Sequence, residues 1–307
     1  MPSELRSRRR PRWPAVMLLA AAAHLSGCDR ATGPPADRPG TVRVVTFGDS
    51  NTDIGWSTVA PFIRARSYVS DLPPRLAPHA HHDAAQLAGL VEQRWRATQG
   101  PPIRVVNHGV AGTTTGGGGH GGGNRSGYSA PNARTVVNGI TRFEGEVLGR
   151  GYPWSGAEPA SPVRRVNAFI PGPVDFAYVS IGTNDLTDGI PSSQTLENLE
   201  WMVQQWTGAG LAPDHLVLTT LPPRGDVAGV SAALPAINAG IRALASHAGT
   251  GLIDLAAYTS ADDGVTWRDA SLHVGDGVHY TTAVRAWIAD QLVAWMAAHA
   301  SAPAALR

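Results

Sequence analysis

The sequence predicts an α/β fold: a three-layer, flavodoxin-like domain around a central parallel sheet of about five strands. Three observations carry that expectation. From Val42 onward, short runs of β-branched and aromatic residues alternate with longer helical stretches, the pattern of successive βαβ units. The chain has 307 residues, 43% hydrophobic and 16% charged, enough to bury a substantial core. Polar or glycine-containing turns follow several of the apolar runs, and open α/β sheets place their chemistry at that carboxyl edge.

Residues 1–27 precede this pattern. Arg6, Arg8, Arg9, Arg10 and Arg12 lead into an apolar stretch, Pro14–Leu25, and then into small residues before Cys28. That is the layout of a secretory signal, and the stretch falls short of the roughly 20 residues a membrane span needs. Leu25-Ser26-Gly27-Cys28 resembles the lipobox of bacterial lipoproteins, which implies lipidation of Cys28. Export and anchoring of the protein to the cell envelope are then expected, with inner and outer membrane both open. Cys28 is the single cysteine, so no internal disulfide can form. Residues 28–41 are rich in Pro, Ala and Gly and read as a tether.

The domain is expected over 42–300. Val42–Phe47, bounded by Gly40 and Gly48, reads as a buried strand. Ile103–Asn107, Val174–Ile181, His215–Thr220 and Gly251–Asp254 are the other strand candidates. His82–Thr98, Thr195–Gly208, Ala232–Ala248 and Thr281–His299 are the helical ones, and right-handed crossovers connect such units. Strand order is not legible at this level. One stretch breaks the rhythm: 113–172 is far longer than one crossover helix requires. It holds a glycine run, Gly116–Gly123 broken only by His120, and scattered aromatics, Tyr128, Phe143, Tyr152 and Trp154. It is expected to be an insertion that packs over the mouth of a site. The glycine run is no phosphate loop, because no Gly-Lys-Ser/Thr follows it and the chain contains no lysine.

Composition excludes some partners. The formal charge is +1, but setting aside residues 1–27, with five arginines and Glu4, leaves 20 basic against 23 acidic residues. That balance gives no electrostatic footprint for nucleic acid. His79, His81 and His82 cluster beside Asp83, yet no second ligand group lies at metal-binding spacing, so no metal is expected.

Four segments fall where chemistry is expected. Ser50 follows the first strand in Gly48-Asp49-Ser50. Asn107 and Gly112 flank the end of the second. Gly182-Thr183-Asn184-Asp185 follows the third, and Asp276-Gly277-Val278-His279 precedes the last helix. A serine hydroxyl needs an adjacent base to become a nucleophile, and His279 is the candidate. Asp276 can hold one imidazole nitrogen so that the other faces Ser50. No Gly-x-Ser-x-Gly elbow is present, which argues against an α/β-hydrolase fold. His120 and His273 lie near these segments without a demanded role, and Asp49 and Asp185 read as braces for their loops.

Taken in order, the four blocks resemble the SGNH (GDSL-like) hydrolase family over Val42 to about Met296. Asn51 stands where many relatives carry leucine or isoleucine. The resemblance implies a serine esterase working through an acyl-enzyme, with Ser50, Asp276 and His279 as the catalytic set. It also implies an oxyanion hole made of the Ser50 and Gly112 backbone N–H groups and the Asn184 amide. No cofactor is implied. The expected substrate is a small-molecule or glycan ester, with removal of small acyl groups, acetyl among them, from carbohydrates as the narrower expectation. Tyr128, Tyr152 and Trp154 could stack on a sugar or pack a small core of their own. Two other functions use the same residues: an O-acyltransferase with the same triad, or a non-catalytic carbohydrate-binding lipoprotein of the envelope. Transfer to an added sugar acceptor marks the first, and ester turnover unaffected by Ser50→Ala marks the second.

Overall fold

A computed structural model describes residues 39–52, 86–109, 113–116, 137–148 and 173–300. Cys28, Gly112, the His79–Asp83 group, His120, Tyr128, Tyr152 and Trp154 lie outside the described residues. The β-branched run of the first strand forms β1, Val42–Gly48, and the equally apolar second run forms β2, Ile103–Gly109. They pair in parallel from Val42↔Ile103 to Gly48↔Gly109, so both strands extend beyond their expected ends into the polar turns. β5 (Phe176–Ser180), β6 (Leu216–Thr219) and β7 (Gly251–Ile253) complete the sheet. All five strands are parallel, in the order β2-β1-β5-β6-β7. This is the flavodoxin-like order, whose direction of winding reverses between β1 and β5, and the crevice at such a switch point is where open sheets bind ligands.

Alternation along the strands builds two apolar layers. Val45, Phe47, Val106, Ala177, Val179 and Leu218 face one side of the sheet. They pack there against α4 (Ser192–Gly208) and α5 (Leu234–Ala248), through residues such as Met202, Trp206, Ile237 and Ile241. Val44, Val105, Tyr178 and Val217 face the other side. They pack against α1 (Leu87–Ala97) and α6 (Thr282–His299), with Val91, Trp95, Ile288 and Leu292 among the contacts. The expected three layers result. α4 starts three residues earlier than expected, directly after Pro191 at its N-cap.

Within the stretch 113–172, residues 113–116 and 137–148 are described. Thr113–Thr114 (β3) pairs in parallel with Val137–Asn138 (β4), and α2 follows over Gly139–Glu146. Ile140 and Phe143 of α2 are fully buried in the core. Phe143 meets Phe47, Trp201 and Trp206 edge-on, with centroids 5.3, 5.7 and 5.4 Å apart. The described part of this segment thus contributes to the core on one face of the sheet.

Candidate active site

β1 ends where the chain must pass close to its neighbour. A Cβ at Gly48 would collide with the Ser180 carbonyl and the Thr52 hydroxyl, so only glycine fits. The next residues form a tight turn: Thr52 N–H donates to the Asp49 carbonyl (3.1 Å), and the Thr52 hydroxyl donates to the Ser180 carbonyl (3.3 Å). Ser50 sits on this turn, at the carboxyl edge between β1 and β5. Its two neighbours tie it to other blocks. The Asp49 carboxylate accepts the Asn51 N–H (2.9 Å) and hydrogen bonds from Thr183. Burial pushes its pKa up to about 6, against the pull of these bonds and the Arg224 charge. The Asn51 amide donates to the Val278 carbonyl (3.4 Å), and its oxygen accepts the Tyr280 N–H (3.2 Å).

The spacing of Asp276 and His279 makes one self-bonded turn. Asp276 Oδ1 accepts the Val278 and His279 N–H groups, each at 2.9 Å. Its Oδ2 accepts from His279 Nδ1 at 2.6 Å, and Nε2 of the same ring lies 2.9 Å from Ser50 Oγ. A carboxylate can only accept, so Nδ1 carries the ring proton and Nε2 is left to accept the Ser50 hydroxyl. Gly277 sits at φ +72°, and a Cβ there would lie 2.9 Å from the Gly225 carbonyl carbon. Burial depresses the His279 pKa below its ordinary 6.5. Asp276 opposes that shift, while the Arg224 and Arg285 charges add to it. Burial alone would raise Asp276, but the two backbone N–H groups and the imidazole hold it below the usual carboxylate value. His273, without a demanded role in the sequence, accepts the Gly275 and Gly277 N–H groups through Nδ1, both at 3.1 Å. It shapes the loop that carries Asp276.

Asn184 caps the start of the short helix α3, Asp185–Asp188. Its amide nitrogen donates to the Thr113 carbonyl (3.0 Å), and its oxygen accepts from Arg224 Nη1 (3.3 Å). Asp185 points the other way, into the protein. It accepts the Thr115 N–H (2.7 Å) and the hydroxyls of Thr195 (2.8 Å) and Thr115, while burial pushes its pKa up to about 7. Thus Ser50, His279 and Asp276 form one hydrogen-bonded relay, and Asn184 is tied to the same edge through Thr183 and Asp49. Among the described residues, no group of three or more His, Cys, Asp or Glu side chains is placed to hold a metal ion.

Two arginines are structural partners that the sequence did not single out. Arg142 of α2 is fully buried and donates to the Gly48 carbonyl (3.2 Å), the His108 carbonyl (2.6 Å) and the Thr113 hydroxyl (3.0 Å). Nothing distinguishes it in the sequence from the other arginines of the chain. Arg224 follows β6 in Leu221-Pro222-Pro223-Arg224, and its place just past a strand's carboxyl end was the available signal.

The arrangement has relatives. A model of the GDSL-like Lipase/Acylhydrolase family matches residues 46–287. No curated protein sequence matches the chain. Among solved structures, the chain is similar to an inhibitor-bound aryl esterase of M. smegmatis, at 18% identity and a TM-score of 0.50, covering 84% of this chain and 99% of that one. It is also similar to an acetyl xylan esterase from Geobacillus stearothermophilus, at 14% identity and a TM-score of 0.50, covering 83% of this chain and 95% of that one. At such identities the likeness concerns the fold, and the family match carries the rest. With most of its length matched, this protein is an ester hydrolase and belongs to the GDSL-like lipase/acylhydrolase family.

Proposed function

We propose that Ser50 is the nucleophile of a two-step ester hydrolysis, with His279 as general base and Asp276 as the group that orients it. The observation that carries this reading is the continuous relay from Asp276 Oδ2 through the imidazole to Ser50 Oγ, at 2.6 and 2.9 Å. Attack of Ser50 Oγ on the ester carbonyl passes its proton to His279 Nε2. The resulting imidazolium protonates the leaving alkoxide, and the acyl group stays on Ser50. Water, deprotonated by the same imidazole, then releases the acid and regenerates the serine. The Asn184 amide and the Ser50 and Gly112 N–H groups are proposed to receive the developing oxyanion, where fixed donors act most strongly.

The substrate is proposed to be an ester of a small acyl group on a polar alcohol, such as an acetylated carbohydrate. The polar edge formed by Asn184, Arg224 and Asp226 supports this. A long acyl chain would need apolar lining. Rates on p-nitrophenyl esters from acetyl to palmitoyl test it, beside acetate release from acetylated xylan. Activity should fall steeply with chain length, and a preference for long chains would refute the small-acyl reading. Lipidation at Cys28 is proposed to hold the enzyme in the cell envelope. Cys28→Ser should then move it from the membrane fraction to the soluble one, and unchanged membrane recovery would refute the anchor.

A further inference from the structure

The Asn184 amide is held from both ends. A primary amide has two N–H donors and one carbonyl acceptor, and its flip state is set by what it meets. One N–H of Asn184 is taken by the Thr113 carbonyl at 3.0 Å, a group that can only accept. The oxygen meets Arg224 Nη1 at 3.3 Å, a group that can only donate. The two contacts agree on one orientation and fix the plane of the amide, which leaves the second N–H for a substrate oxygen.

Arg224 is itself immobilised. Its Nε and Nη2 donate to the two oxygens of Asp226 at 2.7 and 2.9 Å, and Nη1 also donates to the Thr183 carbonyl at 3.0 Å. Its side chain is only 11% exposed. Its backbone N–H donates to Ser231 Oγ, whose hydroxyl donates back to the Arg224 carbonyl, both at 2.8 Å. The next residue, Gly225, donates its N–H to the Gly277 carbonyl at 2.7 Å, which fastens this loop to the turn carrying Asp276 and His279. A guanidinium so placed aims the cationic end of the Arg224–Asp226 pair at the Asn184 oxygen. Charge on that oxygen polarises the amide and strengthens its remaining N–H as a donor.

We propose that Arg224 is a positioning residue for ester hydrolysis, locking and polarising the Asn184 amide so that its free N–H receives the oxyanion. It does not touch the substrate, and it acts through Asn184. The inference rests on the proposed roles of Ser50 and Asn184.

The test is a double-mutant cycle with p-nitrophenyl acetate, on the full chain, using Arg224→Gln, Asn184→Ala and the double variant, with Ser50→Ala as reference. Asn184→Ala should lower kcat by about 10²–10³-fold, as loss of one oxyanion donor does. Arg224→Gln should lower kcat by about tenfold or more while KM changes less than about twofold, since the interaction strengthens only in the transition state. In the Asn184→Ala background, Arg224→Gln should cost less than about twofold, because residues acting through one another are not additive. Arg224→Lys keeps the charge and guards against a folding defect, and it should recover part of the lost kcat. Multiplicative losses, a rise in KM at constant kcat, or wild-type turnover in Arg224→Gln would each overturn the proposal. If Asn184→Ala retains full kcat while Ser50→Ala is inactive, the assignment of Asn184 fails and Arg224 falls with it. If Asn184→Ala is crippled and Arg224→Gln is not, only the role of Arg224 fails.

Discussion

Asp276→Asn isolates the orientation of the histidine from every other feature of the site. The two carboxylate oxygens of Asp276 have separate tasks: Oδ1 accepts two backbone N–H groups at 2.9 Å, and Oδ2 accepts His279 Nδ1 at 2.6 Å. An asparagine there has one oxygen. If that oxygen faced the ring, the NH2 group would face two backbone N–H donors and the turn would lose both bonds. The amide therefore keeps its oxygen on the backbone and turns NH2 toward Nδ1. The ring must then carry its proton on Nε2, the atom 2.9 Å from Ser50 Oγ, where it can no longer accept. A histidine held in the wrong tautomer costs about 10⁴-fold in kcat, or about 5 kcal/mol of barrier at 1.36 kcal/mol per tenfold. The turn keeps its backbone bonds, so thermal stability should stay close to wild type. Steady-state hydrolysis of p-nitrophenyl acetate measures the loss. A variant within tenfold of wild type, with an unchanged melting temperature, would refute the reasoning.

Other consequences follow from burial. His279 must be neutral to act as base and its pKa is depressed by burial below 6.5, so kcat/KM should rise with pH through an acid limb centred below 6.5. A limb above that value would contradict the assignment. Asp185, pushed by burial to about 7 from 3.8, favours the fold when protonated and loses that contribution as pH rises through about 7. The melting temperature of Asp185→Asn minus that of wild type should therefore grow from pH 4 to pH 8, and a flat or falling difference would count against it. Arg142→Met removes the guanidinium's hydrogen bonds to the Gly48 and His108 carbonyls and the Thr113 hydroxyl, which should cost about 3 kcal/mol or more in urea denaturation at roughly 1 kcal/mol or more per hydrogen bond to a charged group. A loss under 1 kcal/mol would show that the buried guanidinium is dispensable.

Much of this was legible in the residues. The β-branched runs located all five strands of the central sheet because a strand buried on both faces must be apolar throughout. The self-contained Asp276–His279 turn could be anticipated because three residues suffice to close it. Strand order was not legible, since pairing is a long-range choice that local pattern does not encode. The burial of Ile140, Phe143 and Arg142 went unread although Ile140, Phe143 and Val147 recur at helical spacing, because the long irregular stretch around them drew attention to the site instead of the core. Asn51 looked like a simple departure from its family. The structure gives it work, joining the Ser50 turn to Val278 and Tyr280, and such cross-chain bonds leave no trace in spacing. Arg224 escaped for the same reason, as its partner Asn184 lies 40 residues away.

The central claim is that Ser50 becomes covalently acylated. Intact-mass analysis after treatment with a p-nitrophenyl alkylphosphonate tests it most directly, because attack of Ser50 Oγ on phosphorus expels p-nitrophenolate and leaves a stable adduct. One adduct per chain, mapped to the peptide containing Ser50 and absent from Ser50→Ala, is the predicted result. An equal adduct on Ser50→Ala, or an esterase that the reagent neither labels nor inhibits, would contradict it.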